Sequence, residues 1–451
     1  MPRFELKQST RNLTSNAGLA LLGQCFTAAR LDLLDARFPT SQGMRTSDLV
    51  KSYAGLLSLG KSDFEAMEAF REDRFFKQAL NLGKVPSSVW LRQRLEKLAP
   101  ALREETDAYS IRLLQRTEAP ITARNGFTCL DFDTFVMNNS GSKKELVSRT
   151  YQGVDGYTPI AAYLGNEGWC LGLELRPGSQ HSALETHYFL ERVLPRVHQL
   201  VAADQAVLSR SDSGFDAARI LFQQDEEKRA WAAEERRFDY LTKWNPRKQA
   251  MEDWVAQADT AGAWTELRPG KRMALLDLSV ERAWQKQKRH FRLVVRLIER
   301  TIDKKGQELL FPDYQLEGWW TSLEAKPEKV IELYREHATH EQFHSEIKTD
   351  LDLERLPSGK FDCNDLVLHL AMLVYNSLRL IGQLGLTGEL SPVRHPAKRR
   401  RIKTVLQEIM YRAAQFISKA RKLILDFGNN CPVIRAFAHV QDCLLEAGQA
   451  P

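Results

Sequence analysis

Near residue 127 the hydrophobic pattern changes period, and that change limits the fold more than any other feature of the chain. Before it, apolar residues recur at helical spacing, in Ala17-Gly18-Leu19-Ala20-Leu21-Leu22 and again from Leu49 to Leu59. From Phe127 to Val136 they alternate, as in a strand. Gly153 and Gly156 mark turns, Pro159 to Tyr163 reads as a second strand, and Gly168 to Leu175 as a third. The third strand stops at the turn Arg176-Pro177-Gly178-Ser179. Ala183 to Leu200 reads as a helix, and Ala206 to Gly214 as a strand running into a glycine turn. A helix begins near Asp216, and Phe238 to Lys243 reads as a fifth strand. Three strands, a helix, a strand, a helix and a strand predict an α/β fold, a mixed sheet with helices packed on it.

The remaining text is of three kinds. Residues 1 to about 110 are mostly helical, with Ser62-Asp63 as a cap for Phe64 to Phe70. Pro86-Ser87-Ser88 leads into the amphipathic helix Val89 to Leu98, which carries Arg92 and Arg94 near its start. That suits a helix-turn-helix-like DNA reader, and it suits a plain surface helix equally well. From about 246 to 322, Trp254, Trp264, Trp284, Trp319 and Trp320 sit among basic residues and strand-like runs, Met273 to Val280 and Phe291 to Ile298. Pro327 to Lys348 is a long helical stretch, and the tail from about 360 is helical again.

At 451 residues the chain is long enough for about three domains of roughly 150 residues each. Its 43% apolar and 27% charged residues exclude collagen-like, disulfide-scaffold and largely disordered classes. Leu366 to Ile381, the best candidate membrane segment, is broken by His369, Asn376, Ser377 and Arg379. Met1 to Asn16 has no continuous apolar core of a secretory signal. Cys25, Cys129, Cys170, Cys363, Cys431 and Cys443 are scattered without a C-x-x-C pair, which fits a reducing cytoplasm and argues against structural zinc. The net charge is only +6, but Arg394 to Lys422 holds ten basic residues against the single acidic Glu408. Arg282 to Lys305 holds nine basic residues opposed by Glu299 and Asp303. Such segments suit a long polyanion such as DNA, or they are solvated faces.

Asp131 and Asp133 are two apart in an apolar strand, so their side chains share a face. Buried carboxylates are costly unless paired or metal-bound. Asp212 ends another strand just before Ser213-Gly214. Carboxylates at neighbouring strand ends suit magnesium, which prefers oxygen ligands, although each is also an ordinary strand-end turn residue. Tyr334, His337, Glu341 and Lys348, spaced by 3, 4 and 7, fall on one face of a continuous helix. A phenol, an imidazole, a carboxylate and a cation in a row suit a phosphate beside a metal ion, or an exposed face of mixed charge.

Taken in order, these motifs resemble a DDE insertion-sequence transposase of the group 1 type, the branch with the signature Tyr-x2-Arg-x3-Glu-x6-Lys. Here the signature reads Tyr334, His337, Glu341, Lys348, with His in the Arg position. Leu130-Asp131-Phe132-Asp133-Thr134 matches the first acidic motif, and Ser209-Arg210-Ser211-Asp212-Ser213-Gly214-Phe215 the second. Gly156 to Ile160 and Leu175 to Gly178 also resemble stretches of that family. The spacings agree: 79 residues from Asp133 to Asp212, and 129 from Asp212 to Glu341, room for a β-rich insertion.

The resemblance implies a ribonuclease-H-like mixed sheet core interrupted by that insertion, with helical N- and C-terminal regions. It implies a terminal-repeat recognition region over 1–120, a core split between 125–245 and 323–385, an insertion over 246–322, and a basic helical region over 386–451. Asp133, Asp212 and Glu341 are the implied catalytic carboxylates and ligands for Mg2+, with Mn2+ as a substitute. Asp131 is the alternative to Asp133. Tyr334, His337, Lys348, Arg335, Arg92, Arg94, Lys398, Arg399, Arg400 and Arg401 are the candidate DNA contacts. The partners implied are double-stranded DNA, both element ends and target, and a second copy of the chain, with no membrane. The setting implied is the bacterial cytoplasm beside the nucleoid. His337 in place of Arg keeps a catalytically decayed, DNA-binding relative open. His340-Glu341-Gln342-Phe343-His344 also reads as H-E-x-x-H, the zinc-hydrolase pattern. Its metzincin continuation fails at Ile347 and Asp350, and it leaves Asp133, Asp212 and the basic tail unexplained.

Overall fold

The computed structural model describes residues 4–40, 43–247, 249–420 and 422–449; the side chains of 338–340 lie outside the described set. Nine strands form one sheet. The first five are β1 (Thr128–Thr134), β2 (Ile160–Leu164), β3 (Trp169–Glu174), β4 (Val207–Ser211) and β5 (Phe238–Lys243). The last four are β6 (Trp264–Arg268), β7 (Lys271–Trp284), β8 (Gln287–Ile302) and β9 (Glu308–Thr321). Their spatial order is β6-β7-β8-β9-β5-β4-β1-β2-β3. β1, β2 and β3 are antiparallel neighbours, whereas β4 and β5 join β1 in parallel. This is a mixed α/β sheet, antiparallel on one side of β1 and parallel on the other. The insertion does not stand apart from it, because β9 pairs antiparallel with β5 and β6 to β9 extend the same sheet.

β2 and β4 are buried along their whole length, as strands covered on both faces must be. The cover comes from five helices: α1 (Ser88–Arg116), α2 (Thr186–Leu200), α3 (Ala218–Ala233), α4 (Pro327–Arg335) and α5 (Phe361–Leu386). α5 lies against α1 and β3, and the main hydrophobic cluster runs from Leu19 through β1, β2 and β3 to Ala447. α5 is long and apolar enough to cross a membrane, but it is buried inside the protein. Its polar residues show why. Asn376 accepts from the Cys170 N–H at 2.9 Å and donates to the Cys170 carbonyl at 2.7 Å, pairing backbone that the last strand, β3, offers to no neighbour. Asp365 accepts from the Leu175 N–H at 2.8 Å, and His369 Nδ1 lies 2.6 Å from Asp107 of α1. The breaks in the apolar run are the fastenings of a core helix.

Several expectations change. The helix after Ser87 does not stop at Leu98 but runs 29 residues through Pro100, so it is a core helix and not a short reader helix. Ser87 caps it, accepting from the Trp90 N–H at 3.3 Å. Phe64–Phe70 is a 3-10 turn. The tail is not all helical: Ala414–Lys419 and Lys422–Asp426 form a hairpin, and Asn12–Thr14 adds a third strand to it. Pro327–Lys348 is not one helix either. α4 gives way to a 3-10 segment, Glu336–Thr339, then a short helix, His340–Ser345, then a π-helical turn, Glu346–Asp350.

Candidate active site

β1 and β4 run parallel, with Asp131 opposite Arg210. Two residues further along each strand stand Asp133 and Asp212, so the register brings both carboxylates to the same edge of the sheet. Both are half-buried. Asp133 accepts from the N–H of Thr134 at 2.7 Å, and Asp212 caps the turn Ser213–Phe215 by accepting from the N–H of Gly214 at 2.9 Å. Ser182 lies between their neighbours, with its hydroxyl 2.8 Å from that of Thr134 and its Cβ 3.1 Å from where a Cβ on Gly214 would stand. Arg176 fixes this loop, donating to the carbonyls of Ser182 and Leu184, each at 3.2 Å. The two further motif stretches meet here, since Thr158 donates to the Gly178 carbonyl at 2.9 Å.

Asp131 shares the face of Asp133 but not its surroundings. Arg210 grips it with two bonds of 2.7 Å, and His337 Nδ1 lies 2.9 Å from its Oδ1. Burial opposes the carboxylate's charge, but Arg210 and His337 outweigh it and hold the acid well below its ordinary range. The structure therefore places Asp131 as a buried anchor, in place of the alternative metal ligand. His337, expected to position a phosphate, is buried on this anchor. Arg210 also donates to the Leu333 carbonyl at 2.8 Å, fastening α4 to the same strands.

Tyr334 lies within reach of the carboxylates' charge. Burial, then Asp212, Asp133 and Asp131, push its hydroxyl far above the ordinary phenol range. Glu341 behaves differently. It is exposed on the turn whose other side buries Phe343 and His344, with His344 stacked on Phe135 at 4.4 Å. Among the described residues no three acidic, histidine or cysteine side chains converge closely enough to hold a metal ion. The change from 3-10 to α to π winding alters the rotation per residue, which is why Tyr334, His337, Glu341 and Lys348 do not share one face. Lys348 pairs with Glu354 at 2.9 Å. Arg335 is exposed. In the zinc pattern, the His340 side chain lies outside the described set and His344 is occupied in packing.

A family described as Transposase DDE domain group 1 matches residues 2–449. The chain belongs to this family. No curated protein matches it. Among solved structures it is similar to the piggyBac transposase in a synaptic complex with hairpin DNA, at 9% identity and a TM-score of 0.42, over 98% of this chain and 85% of that one.

In this transposase the basic segments are not open rows of charge. Arg282, Arg289, Arg292, Arg296 and Arg300 pair with Asp216, Asp225, Asp277, Glu317 and Asp313. Trp319 and Trp320 are buried core residues. Arg92 is exposed, and Arg94 lies over the Trp90 ring at 5.6 Å. Lys398 is exposed beside Gln342, while Arg399, Arg400 and Arg401 make internal bonds.

Three site residues went unread in the sequence. Arg210 had a signal, a cation inside a buried strand, but its partner follows only from strand register. Asp216 ties the Asp212 loop to the insertion, bonding Trp320 Nε1 at 3.0 Å and Arg282 at 3.2 Å. Tyr151 is 66% exposed, and its hydroxyl is nonetheless raised by partial burial and by the charges of Asp133 and Asp212. No motif marks it.

Proposed function

We propose that the protein cuts phosphodiester bonds at the ends of a mobile DNA element and joins the freed 3′-hydroxyls to target DNA. The observation that carries this reading is the Asp133–Asp212 pair, set side by side at the ends of two adjacent parallel strands in a chain of this family. Two half-buried carboxylates fit a hard divalent cation in charge and in donor chemistry, and they would hold it. Glu341 is the third carboxylate by its place in the signature. When bound, magnesium or manganese activates a water or hydroxyl and offsets charge on the leaving oxygen. Tyr334 stays protonated beside the carboxylates and donates a hydrogen bond to a phosphate oxygen. Asp131, Arg210 and His337 hold β1, β4 and α4 in register, so the carboxylates and Tyr334 keep their places. Double-stranded DNA is the substrate in this reading, two copies of the chain act on paired ends, and the setting is the bacterial cytoplasm.

The test is nicking of supercoiled plasmid bearing the element's ends, with magnesium or manganese, by wild type and Asp212→Asn. Metal-dependent nicking at the ends that disappears in the variant supports the reading. An Asp212→Asn protein that nicks like wild type contradicts the assignment. Tight end binding without nicking by folded wild-type protein indicates a DNA-binding relative that has lost catalysis.

A further inference from the structure

The sequence Lys398-Arg399-Arg400-Arg401 has the look of a DNA-gripping patch, yet its arginines bond to groups of the protein itself. Arg399 donates to Glu346 at 2.8 Å and to Gln342 at 2.6 Å, and lies over the Phe343 ring at 4.4 Å. Arg401 holds Asp350 through two bonds, 2.8 and 3.0 Å, and reaches Thr349 at 2.9 Å. Arg400 donates to the Leu386 carbonyl at 2.8 Å, and its own carbonyl accepts from Arg379. Glu346 and Asp350 are both buried, at opposite ends of the π-helical turn. A buried carboxylate without a cation is costly, and the planar guanidinium is the side chain that can satisfy both of its oxygens. Arg379 supplies the second cation to Glu346 from α5.

Glu341 and Lys348 sit between or beside these fastenings. His337 is bonded to Asp131 four residues before Glu341, and Glu346 is fastened five residues after it. Among the described residues, no core side chain bonds to the exposed Glu341, which the turn itself carries. We propose that Arg399 and Arg401 are positioning residues: they brace the turn Glu346–Asp350 from some fifty residues downstream and so fix where Glu341 and Lys348 stand. This rests on Glu341 being a site carboxylate. It replaces a phosphate-gripping role for the two arginines. A π turn is a costly winding that persists where surrounding contacts hold it, and here those contacts are named.

The experiment uses full-length Arg399→Ala and Arg401→Ala; Glu346 keeps Arg379 when Arg399 is removed, and Asp350 keeps the Lys403 N–H at 3.0 Å when Arg401 is removed. Hydrogen exchange over 340–350 is read first, because it needs no catalysis. The brace predicts exchange there about tenfold faster, with α5 and β1 unchanged. The magnesium concentration for half-maximal nicking is read second and should rise several-fold, a shift that packing alone would not produce. The salt dependence of end binding is read third and should stay as in wild type. Unchanged exchange over 340–350, with a salt slope reduced by about one per substitution, would overturn the brace in favour of phosphate contacts. If wild type itself fails to nick, the functional reading fails while exchange still decides the brace.

Discussion

At the scale of single residues, the account turns on two aspartates, two residues apart, with different fates. Asp131 is buried with Arg210, and removing one member of such a pair leaves an uncompensated charge. Arg210→Met is expected to destabilise the protein by roughly 3–5 kcal/mol in denaturant unfolding, far more than Asp133→Asn. The folded Asp131 pKa is depressed, so its contribution is present above its unfolded value and is lost as pH falls through the folded one. Gly214 gives a finer test. A Cβ there would stand 3.0 Å from Asp212 Oδ1 and 3.1 Å from the Ser182 Cβ, tight enough to displace the carboxylate. Gly214→Ala should lower nicking by about tenfold while leaving the melting temperature nearly unchanged, since positioning errors below 1 Å are costly to catalysis. The carboxylates were legible in the sequence as strand-end residues in an ordered set. The Arg210–Asp131–His337 anchor was not, because it joins residues 79 and 206 positions apart through strand register and a helix end.

At the scale of elements, the sequence pattern serves well where periodicity is uniform and poorly where polar fastenings interrupt it. The strand limits Phe238–Lys243 and the turn after β3 follow directly from alternation and glycine placement. α5 does not, because its polar residues look like interruptions until the edge of β3 is placed beside them. Asn376→Leu should leave the Cys170 N–H and carbonyl unpaired in the core and cost on the order of 3 kcal/mol, measured by denaturant unfolding. His369 carries a pH signature of the same helix. Burial opposes its charge, but Asp107 and Asp365 outweigh burial and also the nearby Arg196, so its pKa is raised. Its stabilisation is therefore full below the unfolded value of about 6.5 and is lost as pH rises through the folded value. The melting temperature should decline across that rise in wild type, and His369→Gln should flatten the decline. The signature segment was the hardest to read, since three windings in four successive pieces defeat any single helical period.

At the scale of the whole molecule, strand pairing fuses β6 to β9 into the sheet that carries Asp131, Asp133 and Arg210. The Asp216 node, with Trp320 and Arg282, places the insertion's hold four residues from Asp212. Charge counted along the sequence overstated the open basic surface, because most of those arginines face carboxylates across neighbouring strands or helices. The fold class and the family were readable from the order of motifs, whereas the partner of each charge was not. The central claim is that Asp212 touches the metal ion used in cutting, and a change of ligand softness tests it directly. Asp212→Cys offers a thiolate, which supports manganese better than magnesium. End nicking by this variant should be lost in magnesium and partly regained in manganese, with end binding unchanged. Wild-type nicking by Asp212→Cys in magnesium would contradict the account.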